Sequence, residues 1–146
     1  METYADLLDC IDLSLHSDTY AKDVRRAAEI GIELCELVRS ELDPMQTAAL
    51  EVAKRYWEGN GSEQERVKSV QAIAERLDRS QKSIEVSGRE NILNRLVFCA
   101  LNANTGLSVL AGEYLAELAE ALRLPAKDVS NAFSRRVPNF GLKPSP

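Results

Sequence analysis

Residues 115–134, LAELAEALRLPAKDVSNAFS, carry the pattern that decides the fold. Apolar side chains recur every three or four residues before Pro125 and again after it, which is the spacing of an amphipathic helix. Pro125 separates the two runs because proline cannot continue a helix interior. The stretch therefore predicts two short helices, at about 108–122 and 126–137, joined by a tight turn.

Helical spacing of apolar residues extends from this stretch towards the N-terminus. The pattern predicts a helix at 2–16, three helices between 18 and 80, and a further helix at 92–103. Short turns between the three middle helices favour antiparallel packing. We therefore expect an all-α fold of about six helices, in which an antiparallel N-terminal bundle precedes a C-terminal unit of three helices.

Polar residues mark where several of these helices should begin. Ser17 or Asp18 is expected to cap the second helix, because their side chains can accept a hydrogen bond from a free backbone N–H. Asp43 is expected to cap the third, since Pro44 suits the first helical turn. Ser62 is followed by Glu65, a capping-box pattern that predicts the start of the fourth helix.

Glycines predict where the third helix ends and where the second helix is crossed or kinked, and apolar residues predict the buried face of the fourth helix. The run Gly59-Asn60-Gly61 is expected to end the third helix, because glycine tolerates the left-handed conformation of a C-terminal cap. Gly31 lies inside the second helix and indicates either a close helix crossing or a kink. The apolar face of the fourth helix is predicted to comprise Val67, Val70, Ala74 and Leu77.

Composition divides the chain into two parts. Residues 1–80 are expected to form an acidic helical bundle for dimerisation or partner binding, and residues 89–142 the C-terminal unit of three helices. The polar segment 81–88 lacks periodicity and is predicted to join them. Residues 143–146 are predicted to form a short tail.

Charge is distributed unevenly along the chain, whose net charge is −5. Residues 1–87 hold 11 basic and 18 acidic side chains, a net charge of −7, whereas residues 88–146 have a net charge of +2. Residues 123–146 alone have a net charge of +4. Such asymmetry bears on binding partners rather than on fold.

The segment 115–134 resembles the helix-turn-helix motif of DNA-binding proteins. Ala119 fits the position at which a small residue lets the second helix pack closely across the first. The family usually has a glycine in the turn, where the backbone tends to adopt a positive φ, and this chain has Arg123 there. The resemblance, from Glu90 onward, implies a tri-helical or winged-helix-like unit. The apolar residues that fit the flanking positions are Leu118, Leu122, Leu124, Val129 and Ala132.

The resemblance implies that residues 127–136 form a recognition helix, which would enter the major groove of DNA. Serine and asparagine side chains hydrogen-bond base edges, and arginine and lysine contact bases or phosphates. The first hypothesis is therefore a small DNA-binding or regulatory protein. Its expected DNA-contacting residues are Lys127, Ser130, Asn131, Ser134, Arg135 and Arg136.

The second hypothesis is an acidic helical protein–protein interaction module without DNA contact: an adaptor, a toxin-neutralising immunity protein or a subunit of a complex. Asp6, Asp9 and Asp12 form an acidic face that suits a basic partner. Tyr56 and Trp57 are either an interface anchor or part of the packed bundle. A protein partner or a second copy of the chain would bind through the N-terminal helices.

The two hypotheses differ in where they place the basic residues. DNA binding predicts that Lys127, Arg135 and Arg136 form one exposed stripe together with Asn131. Ion pairing of Arg135 or Arg136 with acidic residues of the N-terminal part would count against DNA binding.

The sequence lacks the usual signals for catalysis, metal binding and membrane insertion. His16 is the only histidine, and Cys10, Cys35 and Cys99 are too scattered for a zinc site or a disulfide scaffold. Nucleotide-binding and nucleophile-elbow motifs are absent, and no apolar run approaches about 18 residues. We therefore expect a cytoplasmic protein without enzymatic activity, metal or cofactor.

Overall fold

A computed structural model describes residues 3–82 and 88–141 of the chain, and within these ranges all regular secondary structure is helical. The all-α prediction is confirmed, with seven α-helices in the described residues where about six were expected. Two short 3-10 turns, Asp18–Tyr20 and Arg39–Glu41, lie between the first three helices. The helices are α1 (Tyr4–Leu15), α2 (Val24–Leu37), α3 (Pro44–Trp57), α4 (Glu63–Lys82), α5 (Gly88–Leu101), α6 (Val109–Ala121) and α7 (Ala126–Ser134).

Side-chain caps start α3 and α4 as predicted. The carboxylate of Asp43 accepts from the Gln46 backbone N–H at 2.8 Å, and the Gln46 side chain accepts from the Asp43 N–H at 3.0 Å, which completes a capping box. Ser62 Oγ accepts from the Glu65 N–H at 3.0 Å. The Glu65 carboxylate pairs with Arg55 at 3.0 Å. Local hydrogen bonding therefore fixes both helix starts.

The predicted start of α2 is wrong. Ser17 Oγ contacts Thr19 Oγ1 at 3.0 Å and makes no capping bond, and the chain after it forms a 3-10 turn. The helix begins at Val24, where the Asp23 carboxylate accepts from the Arg26 N–H at 2.9 Å. Asp23, rather than Ser17 or Asp18, therefore caps α2.

The apolar face of α4 also differs from the prediction. Val67 and Ala74 are exposed, whereas Ile73 is fully buried. The buried stripe runs through Val70, Ile73 and Leu77, with the aliphatic part of Arg66 one turn earlier. These positions keep the i, i+4, i+7, i+11 spacing of a helix face. The prediction is therefore confirmed for Val70 and Leu77 and wrong for Val67 and Ala74.

Helix α5 lies at the centre of the fold, in contact with α2, α3, α4 and α6. It crosses α2 closely at Gly31, where a Cβ atom would lie 3.1 Å from the Ala100 backbone nitrogen. The close crossing predicted at Gly31 is therefore confirmed. A larger side chain there would push the two backbones apart.

One hydrophobic cluster runs from Leu7 of α1 to Phe140 beyond α7. Helices of both predicted parts contribute to it, since α1 packs on α6 and α7 while α2 packs on α5. Residues 83–87 of the predicted junction and the predicted tail at 143–146 lie outside the described residues. None of the described helices has the length and apolar character needed to cross a membrane.

Candidate functional site

The turn between α6 and α7 adopts the conformation that the helix-turn-helix resemblance associates with glycine. Arg123 has φ of 61°. Its N–H donates to the Glu120 carbonyl at 2.9 Å, and the Leu124 N–H donates to the Ala119 carbonyl at 3.0 Å. These two bonds form a Schellman motif, which caps the end of α6. An arginine thus occupies a left-handed position in which its Cβ is unfavourable.

The same motif ends α3, with a glycine in the left-handed position. Gly59 has φ of 87°. Its N–H donates to the Tyr56 carbonyl at 3.1 Å, and the Asn60 N–H donates to the Arg55 carbonyl at 2.9 Å. The predicted end of α3 at 59–61 is confirmed, and the two turns differ in the residue that carries the positive φ.

Three of the side chains predicted to contact DNA lie on one exposed face of α7, at the helical spacing of Lys127, Asn131 and Ser134, and Ser130 does not. Lys127 and Asn131 are exposed. Ser130 is only 6% exposed, so its hydroxyl is not available at the outer face of the helix. Ser134 is exposed, but its hydroxyl donates to the Ser130 carbonyl at 2.9 Å. The exposed polar surface of the predicted recognition helix is therefore narrower than the sequence indicated.

Arg135 and Arg136 are engaged by acidic residues of α2. Both guanidinium groups form ion pairs with the Glu33 carboxylate. Arg136 also donates to the Ala132 carbonyl at 3.1 Å, and its Nε lies 3.8 Å from a carboxylate oxygen of Glu29. The two arginines, predicted to contact DNA, thus pair with residues about a hundred positions earlier in the chain.

The Arg136–Glu33 pair is mostly buried, whereas the side chain of Arg135 is 59% exposed. The side chains of Arg136 and Glu33 are 21% and 20% exposed. Burial lowers the pKa of the Arg136 guanidinium, and the charge of Glu29 partly offsets this shift. Arg136 Nε is buried and has no hydrogen-bond partner among the described residues. Because a buried charge without its partner is costly, release of Arg136 from Glu33 would be unfavourable.

Helices α1 and α6 form a surface that contains acids and no bases. They run antiparallel: the Tyr4 hydroxyl donates to the Leu124 carbonyl at 2.7 Å, and Gly112 lies against Ile11 and Leu15. No ion pair joins any of their six carboxylates to another residue within 3–82 and 88–141. We call this the α1–α6 acidic surface; its acids are Asp6, Asp9, Asp12, Glu113, Glu117 and Glu120.

Tyr4 lies beside the acidic surface, and its hydroxyl is partly buried at the contact with the end of α6. Partial burial raises the pKa of Tyr4 to about 12, and the negative charges of Glu120 and Asp128 contribute to the shift. Several acids elsewhere have cationic partners: Glu36, for example, lies 2.8 Å from Arg39 and 3.0 Å from Lys54. Scattered exposed acids such as Glu58 and Asp78 form no ion pair with another described residue. The unpaired carboxylates of α1 and α6 are therefore distinguished by lying together on two adjoining helices that hold no basic residue.

The predicted aromatic anchor lies within the helix packing. Trp57 Nε1 donates to the Ala100 carbonyl at 3.0 Å, and its ring meets that of Tyr56 edge-on at 4.9 Å between centroids. The guanidinium carbon of Arg66 lies 5.3 Å from the centroid of the Tyr56 ring. Of the two roles open from the sequence, these contacts match packing within the bundle.

Sequence reasoning missed Arg66. It is 7% exposed, and its guanidinium donates to the Leu101 carbonyl at the C-terminal end of α5 at 2.9 Å. It also pairs with Glu63 one turn earlier. A signal existed, because Arg66 falls on the helical stripe of Val70 and Ile73, but an arginine on an apolar stripe is more often read as solvated.

Comparison of the chain with protein-family models, with curated proteins and with solved structures gave no match.

Proposed function

We propose that the protein is a protein–protein interaction module whose α1–α6 acidic surface binds a basic protein partner. The observation that carries the proposal is the contrast in pairing. Arg135 and Arg136 form ion pairs with acids of α2, whereas the six carboxylates of α1 and α6 have no ion-pair partner among the described residues. A surface of one charge sign speeds encounter with a partner of the opposite sign and rejects other partners.

The geometry of the surface favours a protein partner over a single small cation. The carboxylates are spread along two helices of 12 and 13 residues, at successive turns. A helix rises about 1.5 Å per residue, so the three acids of each helix extend over roughly 10 Å along its axis. A partner must therefore present several cations over a comparable length, as a basic helix or strand does.

The test is binding of a fluorescein-labelled decalysine peptide, followed by anisotropy at about 50 and 200 mM salt. The variant Asp6→Asn/Asp9→Asn/Asp12→Asn should bind several-fold more weakly than the unmodified chain. A matched control removes three acids elsewhere, Glu58, Glu75 and Asp78, all of which are exposed. Equal loss in both variants would show that only net charge matters and would contradict the proposal.

DNA binding through α6 and α7 is the second candidate, and the left-handed turn at Arg123 favours it. Lys127 and Asn131 are also exposed on α7. The engagement of Arg135 by Glu33 opposes it, since phosphate neutralisation supplies much of DNA affinity. Anisotropy with mixed-sequence duplex DNA tests this candidate. Binding that falls steeply with salt, and that Lys127→Ala weakens, would favour DNA over a basic protein.

A further inference from the structure

An apolar groove of about 470 Å³ lies between the C-terminal end of α5 and the first turns of α6. Most of the groove wall comes from apolar or aromatic side chains, and the polar ones lie at the loop end. We call it the α5–α6 groove; its lining includes Phe98, Cys99, Asn102, Thr105, Leu110 and Tyr114. Burial raises the pKa of Cys99 to about 12, so its thiol acts as part of the apolar wall.

The rim of the groove carries the most exposed large apolar side chain among the described residues. Leu110 is 78% exposed and Tyr114 is 38% exposed. The two lie four residues apart on α6 and therefore on the same face of the helix. A scattered exposed leucine needs no explanation, but Leu110 stands beside a cavity that can accept a further apolar group.

The adjacent face of α6 is acidic. Glu113, Glu117 and Glu120 are spaced at i, i+4 and i+7, so they form one stripe beside that of Leu110 and Tyr114. Arg95 of α5 is the basic residue in contact with the rim, where its Nη1 lies 3.5 Å from the Tyr114 hydroxyl oxygen. Helix α6 therefore presents an apolar stripe facing α5 and an acidic stripe continuous with the α1–α6 acidic surface.

We infer that the α5–α6 groove receives an apolar side chain of a basic, amphipathic partner helix, whose cations lie against the acids of α6 and α1. The inference rests on the proposed function and adds where the partner is anchored. Helix-in-groove recognition combines an apolar anchor with flanking charges of this kind. A second copy of the chain fits poorly, because two-fold pairing on this face would bring the acids of two α6 helices together.

Two labelled helical peptides of equal charge test the inference. One has leucines on a single helix face and lysines elsewhere, and the other has serine in place of every leucine. The leucine peptide should bind the full chain at least about tenfold more tightly. Leu110→Ser should remove this preference and leave binding of the serine peptide unchanged. The matched control is Leu37→Ser on α2, a leucine that is 44% exposed, which should retain the preference.

The outcomes separate this inference from the proposed function. If both peptides bind equally and the aspartate variant of α1 weakens both, the groove is not the anchor and the acidic interaction stands. If neither peptide binds, both are overturned. Sedimentation equilibrium measures whether the chain self-associates. If the chain is a dimer and Leu110→Ser dissociates it, the groove binds a second copy and the inference is overturned. Backbone amide NMR shifts confined to residues 98–114 on addition of the leucine peptide would support the inference directly.

Discussion

The segment 123–136 and the α1–α6 acidic surface are both strongly charged in sequence, but the fold treats their charges in opposite ways. In the C-terminal segment, Arg135 and Arg136 meet Glu33 of α2. On α1 and α6, no basic residue of the described chain approaches the carboxylates closely enough to form an ion pair. The net charge of a segment therefore does not tell how much charge it offers to a partner.

The charges of the helices that pack together explain the difference. The residues that neutralise the C-terminal arginines lie on α2, which packs against α7. Where α1 and α6 pack on each other the contact is apolar, with Ile11 and Leu15 against Gly112, and neither helix brings a cation to the other's carboxylates. The tertiary arrangement therefore decides which charged side chains form ion pairs within the fold.

The largest effect is expected from removing the carboxylate shared by the two arginines. Glu33→Ala should lower the free energy of unfolding by about 2–3 kcal/mol, because it leaves the mostly buried Arg136 without its main counter-charge. Urea denaturation at pH 7 measures the change. Glu117→Ala on α6, which removes an exposed acid without an ion pair, should change the same quantity by less than about 0.5 kcal/mol. Equal losses of unfolding free energy in the two variants would contradict the difference in pairing between the two regions.

Packing beneath the turn should give the next largest effect. Ala119 is fully buried on α6, whose neighbours include α1 and α7. Ala119→Leu should therefore overpack the contact and destabilise the fold by about 1–3 kcal/mol, as seen in thermal or urea unfolding. Ala121→Leu, at an exposed position on the same helix, is the control and should stay within about 0.5 kcal/mol. A tolerated leucine at 119 would mean that packing there is loose.

Much of the fold could be predicted from local signals. Periodicity located the helices, and the Asp43 cap and the Gly59 turn were correct because each depends on residues within one turn of the chain. Gly31 was informative because glycine weakens a helix interior, so its presence there indicates that another backbone needs the space of a side chain. Signals of this kind need no knowledge of tertiary structure.

The candidate site was less predictable because it depends on contacts between distant residues. Arg135 and Arg136 have the chemistry of DNA-binding residues in sequence, and only the packing of α7 on α2 shows that Glu33 engages them. Ser130 was expected at a DNA interface because serine is polar, but its position on α7 faces the core. The groove beside Leu110 was missed because a cavity is a property of several helices together.

The Asp43 carboxylate should make the stability of the fold depend on pH. Burial alone would raise the pKa of Asp43, but hydrogen bonds from Gln46 and from Arg76 more than offset it and lower the pKa. Such a group stabilises the fold above its unfolded pKa of about 3.9, and this stabilisation is lost as pH falls through the lower folded pKa.

Asp43→Asn separates this charge from the cap, since asparagine also caps helices. The variant should be less stable than the unmodified chain by about 1 kcal/mol at pH 7, and the difference should shrink as pH falls below about 4. Urea unfolding at several pH values measures it. Asp12→Asn on the acidic surface is the control and should show no comparable loss at pH 7. A difference at Asp43 that is independent of pH would assign the effect to the cap rather than to the charge.

The smallest effect concerns the turn that positions α7. Arg123 and Gly59 occupy equivalent places in two Schellman motifs, at φ of 61° and 87°. A left-handed residue other than glycine costs about 1 kcal/mol or more, so Arg123→Gly should stabilise the fold by about 0.5–1 kcal/mol after the entropy cost of glycine is subtracted. Gly59→Ala should destabilise it by a similar amount, since nothing lies within 4 Å of the added Cβ and only the backbone strain changes. If Arg123→Gly is instead destabilising, the arginine side chain itself must hold the turn. Charged side chains would then hold the C-terminal segment in place at Arg123 as well as at Arg135 and Arg136.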